Sequence, residues 1–285
     1  MEAVFPDRQF GLAASVQAAQ LTDALVPFFD RWLRGREDAL DGAAPVRIFV
    51  MGIAQWRDEQ DWPLPDTADT DYYLASAGRA NTADGDGALT GSPPEAAAPD
   101  TFLYDPRRPV PSIGGVNLNL GGFNGPADQR PVESRGDVLV FSTPLLTDPV
   151  EVTGPVTLTL FVSSSAVDTD FTGKLVDVHP DGRAIILCEG IQRMRYRDSL
   201  AQARFMTPGQ IYEITIDLTA TSNVFLAGHR IRLEVSSSNF PRYDRNSNTG
   251  GVIATEREQD MTTAVNHVHH GPNQPSRLTL PLLRR

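Results

Sequence analysis

The sequence predicts a mainly β protein, a jelly-roll β-sandwich preceded by one helix and one strand of a different, α/β character. Three observations predict it. Six short segments beyond residue 150 alternate apolar and polar residues with a period of two. Gly- and Pro-rich links separate them, as in sandwiches and jelly rolls. Before residue 60 the strong signals are a single helical stripe and a single short apolar run.

From Gln17 to Arg34, Leu21, Leu25, Phe28 and Trp32 recur at steps of three and four, which makes one apolar helix face, and Gly35 is placed to end it. Pro27 interrupts that stripe. A mid-helix proline costs about 3 kcal/mol, so a kink or two shorter helices are expected there. "PVRIFVMG" (45–52) is the kind of apolar run that a parallel sheet buries on both faces. "WRDEQDWPLPDTADT" (56–70), with two prolines and five acidic residues, suits an exposed connection, and the division falls there: residues 1–60 in one unit, 61–285 in the sandwich. Ser76 to Pro99, rich in Ala, Gly, Asp and Pro, reads as a long surface loop. The strands are "PVTLTLFVSSS" (155–165), "GKLVDV" (173–178), "RAIILCEGIQRMRYR" (183–197), "QIYEITIDLT" (210–219), "HRIRLEVSSS" (229–238) and "RLTLPLL" (277–283). "HPDG" (179–182) makes a hairpin turn between two of them, because Pro pre-sets a turn φ and Gly accepts a positive one. No internal repeat is visible.

Bulk properties exclude several function classes. The 285 residues are 40% apolar and 21% charged, as in globular proteins. A net charge of −11 and a pI near 4.9 oppose binding to nucleic-acid phosphates or anionic lipid. Cys188 is the only cysteine, so neither an intrachain disulfide nor a zinc ribbon can form. No apolar run approaches the roughly 20 residues of a membrane span, and the acidic start "MEAVFPDRQFG" lacks the order of a signal peptide. A cytoplasmic protein is the expectation.

The stretch "GHRIRLEVSSSNFPRYDRNSNTG" (228–250) gathers a histidine, three serines and an aspartate. As a strand it places Ile231, Leu233, Val235 and Ser237 on an inward face and Arg230, Arg232, Glu234 and Ser236 on the other. A catalytic serine needs a sharp turn and a base within reach. His229 and Ser236 instead lie about 23 Å apart along an extended chain, and no Gly-x-Ser-x-Gly occurs. The serines therefore read as strand residues at a sheet edge. "NHVHH" puts His267 and His269 on one strand face beside His270, but shows no third ligand. "ADGDG" (83–87) is a polar turn rather than a calcium loop. "GGVNLNLGG" (114–122) lacks the Lys-Ser/Thr of a phosphate loop and reads as a strand pair or loop with close backbone approach. Asp168 and Asp170 in "VDTDF" read as turn and strand-start residues. No catalytic residue, metal ligand or cofactor site is assigned from these patterns.

Four longer segments carry a resemblance: "GPADQRPVESRGDVLVFSTPLLTDPVEVTGPV", "SSSAVDTDFTGKLVDVHPDGRAIILCEGIQRMRYRDSL", "ATSNVFLAGHRIRLEVSSSNFPRYDRNSNTGG" and "FFDRWLRG…VRIFVMGIAQWRDEQDWPLPDT". Together they resemble the C-terminal half of the cocaine esterase and X-Pro dipeptidyl-peptidase hydrolase family, over essentially the whole chain. The resemblance implies that residues 1–60 are the last helix and strand of an α/β-hydrolase domain and that 61–285 are its C-terminal jelly roll. It implies ester or amide cleavage through an acyl-enzyme, with no cofactor. The triad histidine would precede Met1, with the serine and aspartate further upstream, so no residue here inherits those roles. The family's acyl-pocket pair aligns with Leu118 and Asn119, and Asn119 departs from the family's aromatic residue. The implied partners are a small ester or amide substrate and the catalytic domain of the same protein, with self-association through uncovered apolar surface. The alternative is a free-standing jelly-roll interaction module that has lost catalysis.

Overall fold

The computed structural model describes residues 5–95, 98–117 and 124–285. A short helix α1 (Val16–Ala19) and the longer α2 (Leu21–Arg34) open the chain. The break falls at Gln20, which adopts left-handed φ and ψ of 51° and 38°, and not at Pro27, which lies inside a continuous α2. Pro27 stands far enough into the helix to forfeit one hydrogen bond without ending it. Gly35 caps α2 as expected, with φ 69°, and Arg36 N–H donates to Asp30 O at 3.1 Å.

The apolar run at 45–52 forms β1 (Val46–Val50), but it is not a parallel strand buried on both faces. It pairs antiparallel with β2 (Gln55–Glu59), from Val46 opposite Glu59 to Val50 opposite Gln55, and only Val50 is buried. The supposed exposed connection thus supplies β2 and the start of β3 (Thr67–Ala75). Aromatic packing holds the hairpin: Phe49 lies edge-on to Trp56 at 5.3 Å and to Phe10 at 5.8 Å.

The remaining strands are β4 (Ala88–Thr90), β5 (Asp100–Tyr104), β6 (Leu139–Ser142), β7 (Val150–Ser164), β8 (Asp170–Val178), β9 (Ala184–Arg193), β10 (Tyr212–Phe225), β11 (Arg230–Ser236), β12 (Ala264–His269) and β13 (Arg277–Leu283), with a one-turn helix α3 (Arg130–Glu133) before β6. They hydrogen-bond in the order β5-β12-β7-β13-β3-β4-β6-β11-β8-β9, with β10 also on β7. All pairings are antiparallel except a single β4–β6 bridge. This path folds over itself as a sandwich. Phe102 of β5, Leu158 of β7, Leu175 of β8 and Leu233 of β11 share one buried cluster. Close approach shows the facing layers directly: a Cβ on Gly173 of β8 would stand 2.5 Å from Leu158 Cδ2.

All six predicted strands are present, and the "HPDG" turn joins β8 to β9 with Gly182 at φ 87° and Gly182 N–H donating to His179 O. Two further expectations fail. Residues 76–99 are not merely a surface loop, because β4 lies within them and Ala80 and Leu89 are buried. The serines at 236–238 are not at a sheet edge: β11, which ends at Ser236, lies between β6 and β8, and Ser237 and Ser238 are buried just beyond it. The inward face of Ile231, Leu233, Val235 and Ser237 is as read, and Glu234 and Ser236 on the opposite face are buried too. Among the described residues, no helix is long and apolar enough to cross a membrane.

Candidate functional site

Two surfaces of the molecule lie outside the sandwich's own core. The first is α2. Its side chains include none that is buried, and Leu21, Leu25, Phe28 and Trp32 are 54%, 43%, 47% and 66% exposed. Beside them lies a groove of about 790 Å3 lined by Pro27, Phe28, Arg31, Trp32, Leu40 and Pro45 among others. An amphipathic helix turns its apolar stripe towards a core, and here the stripe faces outward.

The second surface is the loop that leaves Pro111. Gly115 and Gly125 face each other as an antiparallel bridge with reciprocal N–H to O distances of 2.8 Å, so "GGVNLNLGG" is based on the close backbone approach its glycines suggest. Gly114 and Gly115 have φ of 69° and 76°, and a Cβ on Gly115 would lie 2.2 Å from Glu189 Oε1. The buried Glu189 carboxylate is the anchor. It accepts from Val116 N–H at 3.2 Å and from Asn239 Nδ2 at 2.5 Å, with Arg242 Nε at 3.9 Å. A cavity of about 100 Å3 lies beneath, lined by Met51, Val116, Ile186, Leu187, Cys188 and Glu189 among others. Burial pushes the Cys188 thiol up, so it is no nucleophile. The hairpin reaches this cavity because Met51 N–H donates to Ser222 O and Val224 N–H donates to Met51 O, both at 2.9 Å. Leu118 and Asn119, the two residues assigned to the acyl pocket, lie outside the described residues, between the glycines of this base. Glu189 and Asn239 were invisible to sequence reading, because nothing local marks a glutamate on β9 as the partner of a glycine loop.

Histidines meet serines or acids at three places, none of them in a relay order. Ser76 Oγ donates to Asp100 Oδ2 at 2.7 Å, and His270 Nε2 stands 2.9 Å from that same oxygen and 3.1 Å from Ser76 Oγ. Facing a carboxylate, Nε2 must carry its proton, so it cannot receive one from Ser76. Ser163 Oγ is 2.9 Å from His269 Nε2, and burial with the neighbouring His267 and His270 holds this imidazole below its ordinary value. Among the described residues no carboxylate orients that ring. Asp177 Oδ1 contacts His229 Nδ1 at 2.7 Å beside His179, without a serine. His267 and His269 do share a face, 6.1 Å apart, and His267 Nδ1 is spent on Thr101 Oγ1 at 2.7 Å.

The other candidates are structural. Ser236 Oγ pairs with Thr172 Oγ1 at 2.7 Å, Ser237 Oγ accepts from Asn266 Nδ2 at 2.7 Å, and Ser238 Oγ accepts from Val110 N–H at 2.9 Å. Asp168 and Asp170 are buried ion-pair partners of Arg195 and Arg193 at 2.7 and 2.9 Å, bridged by Asn246 Nδ2. Asp86 of "ADGDG" accepts from Ala77 and Arg79 N–H as a polar turn does.

Comparison with known proteins agrees with this architecture. A family profile described as the X-Pro dipeptidyl-peptidase C-terminal non-catalytic domain matches residues 38–279. Cocaine esterase of Rhodococcus sp. (strain MB1 Bresler) is 61% identical over 279 residues, 98% of this chain and 49% of that protein. An aminopeptidase from a marine sediment Thaumarchaeota archaeon superposes with a TM-score of 0.84 at 29% identity, covering 99% of this chain and 46% of that one. An α-amino acid ester hydrolase superposes with a TM-score of 0.79 at 31% identity, covering 93% and 45%. The chain therefore spans about half the length of these relatives. By its sandwich, its profile match and its identity to a known esterase, the chain belongs to the X-Pro dipeptidyl-peptidase C-terminal domain family of the cocaine esterase type of hydrolases.

Proposed function

We propose that this chain is the C-terminal portion of a serine ester or amide hydrolase working through an acyl-enzyme, whose nucleophile, base and acid reside on sequence outside these residues. The observation that carries the reading is α2. Its apolar stripe and the adjoining groove offer contiguous exposed apolar surface of the kind that marks a packing site, and the relatives are about twice as long as this chain. On this reading residues 1–60 complete the catalytic domain and 61–285 pack against it. The loop based on Gly115 and Gly125 then presents Leu118 and Asn119 to the acyl group, supplying shape and no chemistry. Ester and amide substrates fit the names of the relatives, an esterase, an ester hydrolase and an aminopeptidase.

The test is a chimera joining the N-terminal half of the Rhodococcus cocaine esterase to this chain. It should hydrolyse simple aryl esters, while the chain alone stays at background because covalent catalysis needs an activated nucleophile. A folded chimera without hydrolysis would overturn the reading. In that chimera Asn119→Phe should favour benzoates over acetates with matched leaving groups by about 10-fold or more. An unchanged ratio would remove residues 118 and 119 from the acyl site.

A further inference from the structure

Three side chains that the hydrolase reading leaves unused converge at one end of the sandwich. Asp177 is the penultimate residue of β8, His179 opens the turn into β9, and His229 stands just before β11, whose Arg230 is opposite Val178 of β8. One ligand atom from each lies within 4.8 Å of the other two. Asp177 Oδ1 is 2.7 Å from His229 Nδ1, Asp177 Oδ2 is 3.7 Å from His179 Nε2, and the two imidazole centroids are 4.5 Å apart. All three side chains are more than nine-tenths buried, and the histidines keep 8% exposure, enough to place the cluster at the rim.

Ordinary packing accounts for one of the histidines. The bond to Asp177 satisfies His229 Nδ1, whereas 3.7 Å leaves His179 Nε2 beyond hydrogen-bond reach of the carboxylate. Two imidazoles and one carboxylate form a mixed nitrogen and oxygen set that suits Zn2+ and its first-row neighbours. Ligand atoms at about 2.1 Å from a tetrahedral metal stand about 3.4 Å apart, close to the 3.7 Å between Asp177 Oδ2 and His179 Nε2, and at His229 the metal would take the place of the proton that Nδ1 shares with Asp177 Oδ1. We propose that Asp177, His179 and His229 form a binding site for a divalent first-row transition-metal cation, represented by Zn2+, which ties the β8–β9 hairpin to β11.

The charged groups facing the cluster are Arg8, from the segment before α1, and Arg183, from the far side of the turn. Arg183 is drawn towards Asp181 at 2.8 Å and Asp7 O at 3.0 Å. Two guanidinium groups oppose a purely electrostatic cation, so the site selects a metal with strong bonds to nitrogen over Ca2+ or Mg2+, which take oxygen ligands.

The experiment uses the full chain, stripped with chelator and titrated with ZnCl2 by calorimetry, with CoCl2 absorption as a second readout of nitrogen ligation. One Zn2+ per chain should bind and raise the unfolding midpoint, and Ca2+ should do neither. His179→Ala removes a ligand without removing a side-chain hydrogen bond, and the variant's metal affinity is compared with the parent's at a temperature below both metal-free unfolding midpoints. The variant should lose more affinity than the roughly 10- to 100-fold that an outer-shell partner costs. His267→Ala with His269→Ala controls for the half-buried pair on β12 and should leave binding unchanged. Absence of binding at millimolar Zn2+, or binding that survives His179→Ala and disappears in the His267/His269 double variant, would overturn the proposal.

Discussion

Replacing Gly115 with alanine should damage the molecule far more than a methyl group ordinarily does. At φ 76° a side chain costs about 1 to 2 kcal/mol. The new Cβ would also stand 2.2 Å from Glu189 Oε1 and 2.8 Å from its Cδ, so the carboxylate has to move. It cannot move freely, because Val116 N–H and Asn239 Nδ2 hold it, and losing one bond to a charged group costs about 1.5 to 3 kcal/mol. Together the destabilisation is about 2.5 to 5 kcal/mol. Urea unfolding of the chain measures it as a lowered midpoint at unchanged slope. Gly136→Ala, where a Cβ meets nothing within 4 Å, is the control and should be neutral. A Gly115→Ala variant within about 1 kcal/mol of the parent would refute the claim that Glu189 and the two glycines fix the base of this loop.

Further expectations concern the buried polar groups and α2. Burial, with Glu133 alongside, pushes the Glu234 carboxyl up to about 7 although Lys174 Nζ lies 3.4 Å away. This folded value lies above the unfolded one, so the stability it contributes is full below about pH 4 and is lost as pH rises through about 7. The stability difference between the parent and Glu234→Gln should therefore fall between about pH 5 and 7 and then level off, and a flat difference in urea midpoints would contradict it. Ser237→Ala leaves a buried Asn266 N–H short of an acceptor and should cost about 1 to 3 kcal/mol in the same assay while leaving kcat of the chimera unchanged. Phe28→Ser with Trp32→Ser should lower hydrophobic-dye fluorescence and self-association of the chain, read by sedimentation, yet destabilise the chimera. Equal behaviour in both settings would mean that the α2 stripe packs on nothing.

Much of the sandwich was legible because apolar alternation and turn chemistry agree in the strands beyond residue 150. The missed strands have several physical causes. In β5 Asp100 is buried and in β12 Asn266 is buried, both holding inward positions that alternation reserves for aliphatic residues. β6, "LVFS", is buried on both faces and β4 is three residues long, so neither alternates visibly. The serines at 236–238 read as an edge because hydroxyls look solvent-facing, whereas Thr172, Asn266 and Val110 give each an internal partner. Of the functional surfaces, the α2 stripe was legible from spacing alone. The Glu189 anchor and the Asp177, His179 and His229 cluster were not, since they join β8 and β9 to segments 52 and 50 residues away in sequence. Asp-x-His at a strand end was the one local signal for the cluster.

The central claim is that this chain contributes surface to a hydrolase and not its nucleophile. Labelling the active chimera with a serine-directed phosphonate, cleaving it at the junction and locating the adduct by mass spectrometry tests that claim directly. The adduct should sit on the N-terminal half alone, with activity lost in proportion to labelling. An adduct on any serine of residues 1–285, accompanied by loss of hydrolysis, would contradict it.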